Sequence, residues 1–204
     1  MFITFEGGEG SGKSTQARLL AESLRAAGRL VCLTREPGGC PSAEAVRGVL
    51  FGSGESFTPL AELLLMCAAR AEHVARTIQP ALARGEIVIC DRFSDSTRVY
   101  QGVAGGLASG VIAAVDGVAT GGLVPDLTLL LDLSPEAGLQ RIQAAGRATN
   151  AFDARPLAFH GMVRAGFLAL AAREPGRMKI LDAARPQEAL AAEVLQIVQE
   201  RLRG

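Results

Sequence analysis

The chain has 204 residues, a length that suits one compact domain with a substantial apolar core. Hydrophobic residues make up 49% of it and charged residues 21%, which excludes an intrinsically disordered protein. Basic and acidic residues number 21 each, so no overall positive field favours nucleic acid and any anion-binding site must be local.

Four cysteines are scattered among apolar residues, and the chain has only two histidines. Because no C-x-x-C pair occurs, the pattern argues against a structural zinc site and is typical of a reducing compartment. The first residues have no signal-peptide pattern, and no apolar run is long enough to span a bilayer. We therefore expect a cytoplasmic protein that has neither membrane nor nucleic-acid partners.

Short apolar runs alternate along the chain with longer stretches of helical periodicity. Five runs have the length and composition of strands buried on both faces of a parallel sheet: Phe2–Glu6, Leu30–Thr34, Ile87–Cys90, Leu127–Asp132 and Met178–Leu181. Six stretches with helical patterns separate or follow them: Lys13–Ala27, Leu60–Ala83, Leu107–Ala119, Pro135–Ala145, Pro156–Ala172 and Pro186–Leu202.

Each predicted strand is followed by at least one helical stretch. This order predicts a three-layer α/β fold, in which helices flank a five-stranded parallel sheet with right-handed crossovers. Neither a repeat nor a linker divides the chain, so residues 1–204 are predicted to form a single domain. The polar, irregular stretch Gly146–Pro156 predicts a mobile segment, and we expect a lid at about 142–156. Ligands of such sheets bind beyond the carboxyl ends of the strands, so functional residues should follow the strands.

A glycine-rich motif, GGEGSGKST at residues 7–15, lies between the first predicted strand and the first predicted helix. It matches G-x-x-x-x-G-K-[ST] in the context that a phosphate-binding P-loop requires. Its glycines let successive backbone N–H groups converge on one anion, and the helix adds the positive end of its dipole. The motif predicts ATP or GTP binding and leaves the acceptor open. The predicted nucleotide-binding residues are Gly8, Glu9, Gly10, Ser11, Gly12, Lys13, Ser14 and Thr15.

Three side chains of this motif have individual roles. Lys13 can place its charge on the β and γ oxygens, and the Ser14 hydroxyl is suited to ligate Mg²⁺. Glu9 is unexpected, because a carboxylate in an anion cradle repels phosphate. It either faces solvent or points away from the triphosphate and accepts a hydrogen bond from a hydroxyl of the second substrate.

The segment Thr34–Gly39 follows the second predicted strand, where an acceptor can bind. Arg35 can reach an acceptor phosphate from this position. Pro37 rigidifies the turn and is a candidate for a cis peptide bond. By composition alone, the segment also fits a plain Pro-Gly turn that ends a strand.

The segment Asp91–Gly102 follows the third predicted strand. Asp91 can organise Mg²⁺ through water, and Arg92 can hold an acceptor phosphate with its bidentate fork. A plain salt bridge between the two is the alternative. Their place directly after a buried strand, at the ligand-binding edge of the sheet, favours function.

Arg70 and Met66 lie one turn apart on the long predicted helix, so both project from the same face. An arginine on an otherwise apolar face needs a partner. It forms either a surface salt bridge with Glu72 or Glu62, or a hydrogen bond to a base carbonyl while Met66 packs on the base.

Taken together, these motifs resemble bacterial members of the thymidylate kinase family over nearly the whole chain. The resemblance rests on Gly8–Thr15, Thr34–Gly39, Ala68–Arg70, Asp91–Phe93, Ser96–Gly102 and Pro125–Thr128. It implies an enzyme that transfers the γ-phosphoryl group of ATP to dTMP with Mg²⁺. It also implies a homodimer joined by helix faces.

The resemblance implies a role for each matching residue. Glu9 would contact the nucleotide sugar hydroxyl, and Arg35 and Arg92 would surround the acceptor phosphate. Arg70 would read the thymine carbonyl. Tyr100 would pack against the deoxyribose and exclude a 2′-hydroxyl by steric crowding. The residues implied along the base and sugar pocket are Ser96, Thr97 and Gln101.

Two positions depart from the family pattern. Met66 stands where an aromatic residue commonly stacks on thymine. In the lid, the usual Asp-Arg-x-Glu stretch reads Asn150–Asp153, with Ala151 in place of the arginine. Such an arginine is worth on the order of 10³–10⁵ in rate. With Arg141, Arg147 and Arg155 nearby, the resemblance implies that Arg147 or Arg155 takes the catalytic role.

Three alternatives stay open at this point. The chain could be a kinase for another nucleoside monophosphate. It could be a nucleotide-binding relative with weak or lost catalysis, because the lid arginine is replaced. A P-loop switch ATPase with a protein partner is the third, although the sequence offers no identifiable hydrolysis-poised acid or glutamine for it.

Overall fold

The computed structural model describes residues 1–52, 57–146 and 154–203. It has the expected three-layer α/β fold, with one five-stranded parallel sheet in the order β2-β3-β1-β4-β5. The strands are β1 Phe2–Glu6, β2 Val31–Arg35, β3 Ile87–Asp91, β4 Leu127–Asp132 and β5 Met178–Asp182. All five predicted strands are confirmed, and their bounds differ from the prediction by at most about one residue.

Helices cover both faces of the sheet. They are α1 Lys13–Ala26, α2 Pro41–Gly52, α3 Pro59–His73, α4 Gln79–Ala83, α5 Ser94–Thr97, α6 Ser109–Thr120, α7 Pro135–Ala144, α8 Leu157–Arg173 and α9 Gln187–Arg203. A π-helical segment, Val74–Ile78, joins α3 to α4, so the long helix predicted there is one continuous element. Within the described ranges, no helix combines the length and the apolar character that crossing a bilayer demands.

The core forms where alternate faces of the buried strands meet the helices. Ile3 and Phe5 of β1 pack with Leu20 of α1 and Val194 of α9 on one face. On the other face, Phe2 packs with residues of the long helix, while Leu130 of β4 packs with α8. Because β1 is buried along its whole length, the loop that follows it starts from a rigid position at the centre of the sheet.

The segment after β3 is helical, although no helix was predicted there. It forms the short helix α5 and then a π-helical segment, Arg98–Ala104. The carboxylate of Glu6 accepts hydrogen bonds from the backbone amides of Phe93 and Ser96, at 2.8 and 3.2 Å. A side chain from β1 therefore satisfies amides that begin α5, a capping role that local sequence cannot reveal.

Candidate active site

A cavity of about 490 Å³ opens at the carboxyl edge of the sheet. The P-loop forms one wall, and α3 with the segments that follow β2 and β3 forms the others. Every residue predicted on the acceptor side lines this cavity. Of the predicted P-loop residues, Gly8 and Ser11 do not line it. They are hydrogen-bonded to each other within the loop. The volume is in the range of sites for small ligands.

The P-loop backbone has the conformation that its glycines allow. Gly10 and Gly12 have φ angles of 70° and 91°, and Gly12 caps the N-terminus of α1. The Ser11 hydroxyl and the Lys13 ammonium both donate to the carbonyl oxygen of Gly8, at 2.9 and 2.7 Å. These bonds fold the loop around the start of α1, so that its amides and the helix dipole face the cavity.

Lys13 is buried beneath the loop. Burial and, after it, the charge of Arg92 lower the pKa of Lys13 to about 8, while the charge of Glu9 opposes both effects. A nucleotide polyphosphate beside Lys13 would favour its charged form, since opposite charges a few ångströms apart raise the pKa of an amine.

Helix α7 supports the P-loop through a backbone contact. A Cβ atom on Gly138 would overlap the carbonyl oxygen of Glu9, and one on Gly10 would overlap the backbone of Gly138. Arg141 and Ile142 lie one turn further along the same face of α7 and line the cavity. The sequence does not mark α7 as part of the site, because a close backbone approach leaves no local signature.

Oxygen groups suited to Mg²⁺ meet where the P-loop faces β3. The Ser14 hydroxyl donates a hydrogen bond to the carboxylate of Asp91. Mg²⁺ prefers hydroxyl, carboxylate, water and phosphate oxygens, and usually takes only one or two ligands from a protein. The donor set at Ser14 and Asp91 therefore fits this ion.

Arg92 connects the P-loop to the acceptor side of the cavity. Its Nη1 donates to the carbonyl oxygen of Gly7 at 3.2 Å and to Ser96 Oγ at 3.0 Å. Its Nη2 donates to Glu9 Oε1 at 2.8 Å and to the Tyr100 hydroxyl at 3.2 Å. The ion pair of Arg92 is thus with Glu9, and the alternative of a plain Asp91–Arg92 salt bridge is wrong.

Glu9 faces the acceptor side of the cavity. Its side chain is only 12% exposed, and its Oε1 also accepts from the Tyr100 hydroxyl at 2.9 Å. The alternative of a solvent-facing loop charge is therefore wrong. The carboxylate is turned away from the anion cradle because a cation and a hydroxyl group hold it there.

Arg70 is buried, with a side chain 3% exposed, and contacts two carboxylates. Its Nε donates to Glu36 at 2.7 Å and its Nη1 to Asp116 at 2.6 Å. The surface salt bridge considered as an alternative is wrong, since Glu72 pairs with Arg76 and Glu62 accepts from Gln101 instead.

The carboxylates that hold Arg70 were not identified from the sequence. Glu36 also contacts His73 Nδ1 at 2.9 Å, and His73 Nε2 lies 2.7 Å from Thr34 Oγ1. Glu36 belongs to the Thr34–Gly39 motif, so its position directly after a strand was the available signal. Asp116 lies on α6 among small residues, where nothing in the sequence marked it.

Replacing Arg70 with methionine is expected to lower the free energy of unfolding by about 3–5 kcal/mol, because Glu36 and Asp116 lose their buried guanidinium. Urea unfolding measures this loss. Arg35→Met is the matched control, since the ion pair of Arg35 with Glu44 is about half exposed. Its free energy of unfolding should fall by less than about 1 kcal/mol. Similar losses in both variants would contradict the stabilising role of the buried ion pairs of Arg70.

The remaining predicted residues are placed as follows. Arg35 and Pro37 line the cavity mouth, and the Glu36–Pro37 peptide bond is cis, as anticipated. The Arg155 guanidinium carbon lies 5.3 Å from the Phe159 ring centroid and does not line the cavity. Arg147 and the lid stretch Asn150–Asp153 lie outside the described residues.

A P-loop and an arginine fork that face one cavity, at the carboxyl edge of a parallel sheet, define a P-loop kinase of a small phosphorylated acceptor. The family model "Thymidylate kinase" matches residues 5–194. The chain belongs to the thymidylate kinase family and is a nucleoside monophosphate kinase, which confirms the resemblance found in the sequence.

Known thymidylate kinases match this chain over nearly its whole length. The chain is 52% identical to a thymidylate kinase of Caulobacter vibrioides, over 98% of this chain and 97% of that protein. It is 50% identical to one of Trichlorobacter lovleyi, over 99% and 98%. A solved thymidylate kinase structure from Ehrlichia chaffeensis matches with a TM-score of 0.78 and 35% identity, over 97% of this chain and 98% of that chain.

Proposed function

We propose that this thymidylate kinase transfers the γ-phosphoryl group of ATP directly to the phosphate of dTMP, giving ADP and dTDP, in the cytoplasm. The observation that carries the proposal is the Arg92 guanidinium, which lies in the cavity between the P-loop and the acceptor pocket. The four cysteines are all free thiols, as a reducing compartment requires.

The residues divide the work of an in-line transfer between them. Lys13 and the P-loop amides hold the donor phosphates, and Arg92 presents the acceptor phosphate. Ser14 and Asp91 would hold Mg²⁺, which supplies charge neutralisation at the β and γ oxygens when it is bound. Most of the rate enhancement then comes from positioning and electrostatics, since phosphoryl transfer asks little covalent chemistry of the protein.

The lid arginine is the least conventional part of this proposal. We assign charge neutralisation at the transferring group to Arg147 or Arg155, since Ala151 stands where the family has arginine. Arg155 contacts Phe159 through an exposed cation–π interaction, which is weak enough to break when a nucleotide binds.

The walls of the acceptor pocket suit a thymine deoxynucleotide. Arg70 is held rigidly enough by its two carboxylates to read a base carbonyl, and Met66 can cover the base. Tyr100 packs against Phe167 and is fixed by Arg92, so it forms a rigid wall where a 2′-hydroxyl would lie. Ser96, Thr97 and Gln101 complete the pocket.

A panel of acceptors tests this function. ADP release should be fastest with dTMP and should fall about tenfold or more with dUMP, because a missing methyl group costs a hydrophobic pocket 1–3 kcal/mol. UMP and AMP should be poorer still. Equal turnover with UMP or AMP would remove the thymidylate assignment. Nucleotide binding without ADP release would instead favour a relative that has lost catalysis.

We also propose that the enzyme is a homodimer that forms through α3 and α6. These helices pack side by side and expose Leu60, Leu64, Val111 and Val118. Neighbouring exposed apolar side chains mark interaction surfaces, and the family resemblance implies a second copy of the chain as the partner. Sedimentation equilibrium should give twice the 21.2 kDa of one chain, and a single-chain mass would contradict the dimer.

A further inference from the structure

Glu6 is a buried carboxylate at the end of β1, directly before the P-loop, and the proposed chemistry does not use it. Its Oε1 accepts from the amides of Phe93 and Ser96, and its Oε2 accepts from the Ser96 hydroxyl at 2.5 Å. All three donors belong to the turn that carries Arg92. The carboxylate of Glu6, at the end of β1, therefore holds the turn Arg92–Ser96 on the acceptor side of the cavity.

The backbone of that turn is strained at Arg92, whose φ angle is 71°. A residue with a large side chain rarely adopts this left-handed conformation, and it persists only where surrounding bonds hold it. The amide of Arg92 donates to Phe5 O at 2.9 Å, and the next amide donates to the Glu6 carboxylate. Two consecutive residues of β1 thus fix the two peptide groups that set this conformation.

Two side-chain hydrogen bonds connect Glu6, through Ser96, to the guanidinium of Arg92. The Ser96 hydroxyl donates a hydrogen bond to Glu6 and accepts one from Arg92 Nη1 at 3.0 Å. The ionised Glu6 carboxylate can only accept, so in that form it sets the direction of both bonds. An amide at this position could donate to Ser96 Oγ and compete with Arg92 for the hydroxyl oxygen.

We propose that Glu6 is a positioning residue for the acceptor phosphate, because it fixes both the strained backbone and the guanidinium direction of Arg92. The proposal rests on the proposed role of Arg92 as the acceptor-phosphate ligand. Burial, together with the charge of Asp95, raises the pKa of Glu6 to about 7, while Arg92 and the hydrogen bonds oppose this shift. The ionised carboxylate is therefore costly to keep buried, and Arg92 with the hydrogen-bond donors offsets part of that cost.

The test is Glu6→Gln, with binding measured by calorimetry for dTMP, thymidine and ADP. Thymidine fills the base and sugar pocket but lacks the phosphate that Arg92 would hold. We expect dTMP binding to weaken about tenfold, the effect of losing one charged hydrogen bond, while thymidine and ADP change less than about twofold. A purely structural role would weaken all three ligands together, and that result would overturn the proposal, as would unchanged dTMP binding.

Three further variants complete the design. Arg92→Lys should lower the ratio of dTMP to thymidine affinity; if it does not, the proposed role of Arg92 fails, and the inference with it. If Arg92→Lys lowers this ratio and Glu6→Gln does not, the inference alone fails. Asp182→Asn is the matched control, because among the described residues that carboxylate at the end of β5 accepts only from the Ala184 amide and does not line the cavity. It should leave all three affinities unchanged.

Glu6→Gln could fail to fold, so Ser96→Ala gives an independent measurement. It removes the hydroxyl that links Glu6 to Arg92 and leaves the amide bonds to Glu6 in place. Selective loss of dTMP binding supports the inference, and full retention overturns it.

Discussion

Replacing Arg92 with alanine is expected to lower kcat/KM for dTMP by about 10³. The guanidinium would no longer hold the acceptor phosphate against the donor, and Glu9 would lose its ion-pair partner beside the cavity. Coupled ADP-release assays, with each substrate varied in turn, measure this loss. The KM for ATP should change little, because Lys13 and the P-loop amides remain.

Arg98→Ala is the control for this variant. Arg98 lies in the same segment, is partly exposed and pairs with Glu174 and Asp95 away from the cavity. Its removal should leave kcat/KM for dTMP near the starting value. A loss smaller than about tenfold in Arg92→Ala would show that another group holds the acceptor phosphate.

Replacing Gly138 with alanine should weaken ADP binding by about 10², because the added methyl group would overlap the Glu9 carbonyl oxygen. Either α7 or the P-loop must then shift, and a shift of about 1 Å in a positioning element is enough for an effect of this size. Overpacking should also lower the free energy of unfolding by about 1–3 kcal/mol. Calorimetry and urea unfolding measure the two effects.

Gly161→Ala makes the same chemical change on α8, where a Cβ atom would meet nothing within 4 Å. It should preserve ADP affinity and slightly raise stability, since alanine is the better helix former. Equal ADP affinity in the Gly138 and Gly161 variants would mean that the contact between α7 and the P-loop does not shape the nucleotide site.

The fold could be predicted from the sequence because its signals are local. Buried parallel strands are short continuous apolar runs, and the P-loop motif identifies the strand, turn and helix that contain it. The helical segment Arg98–Ala104 was not predicted. Its polar residues and Gly102 did not predict a helix, and the Glu6 cap that begins this region comes from a different part of the chain.

The residues that form the candidate site could be predicted from the sequence, but only some of the contacts between them could. Glu9, Arg70 and Arg92 each had open alternatives, because their partners are distant in sequence. Arg92 is 83 residues from Glu9, and Arg70 is 46 residues from Asp116. A sequence pattern can place such residues at one edge of a sheet, but only the folded structure shows which carboxylate pairs with which guanidinium.

The Glu9–Arg92 ion pair has a consequence for how the two substrates influence each other. Glu9 belongs to the loop that receives the donor, yet it steadies the arginine that receives the acceptor. Occupation of either pocket therefore alters the electrostatic environment of the other. By thermodynamic reciprocity, any gain in dTMP affinity that nucleotide brings about must be matched by an equal gain in nucleotide affinity when dTMP is bound first.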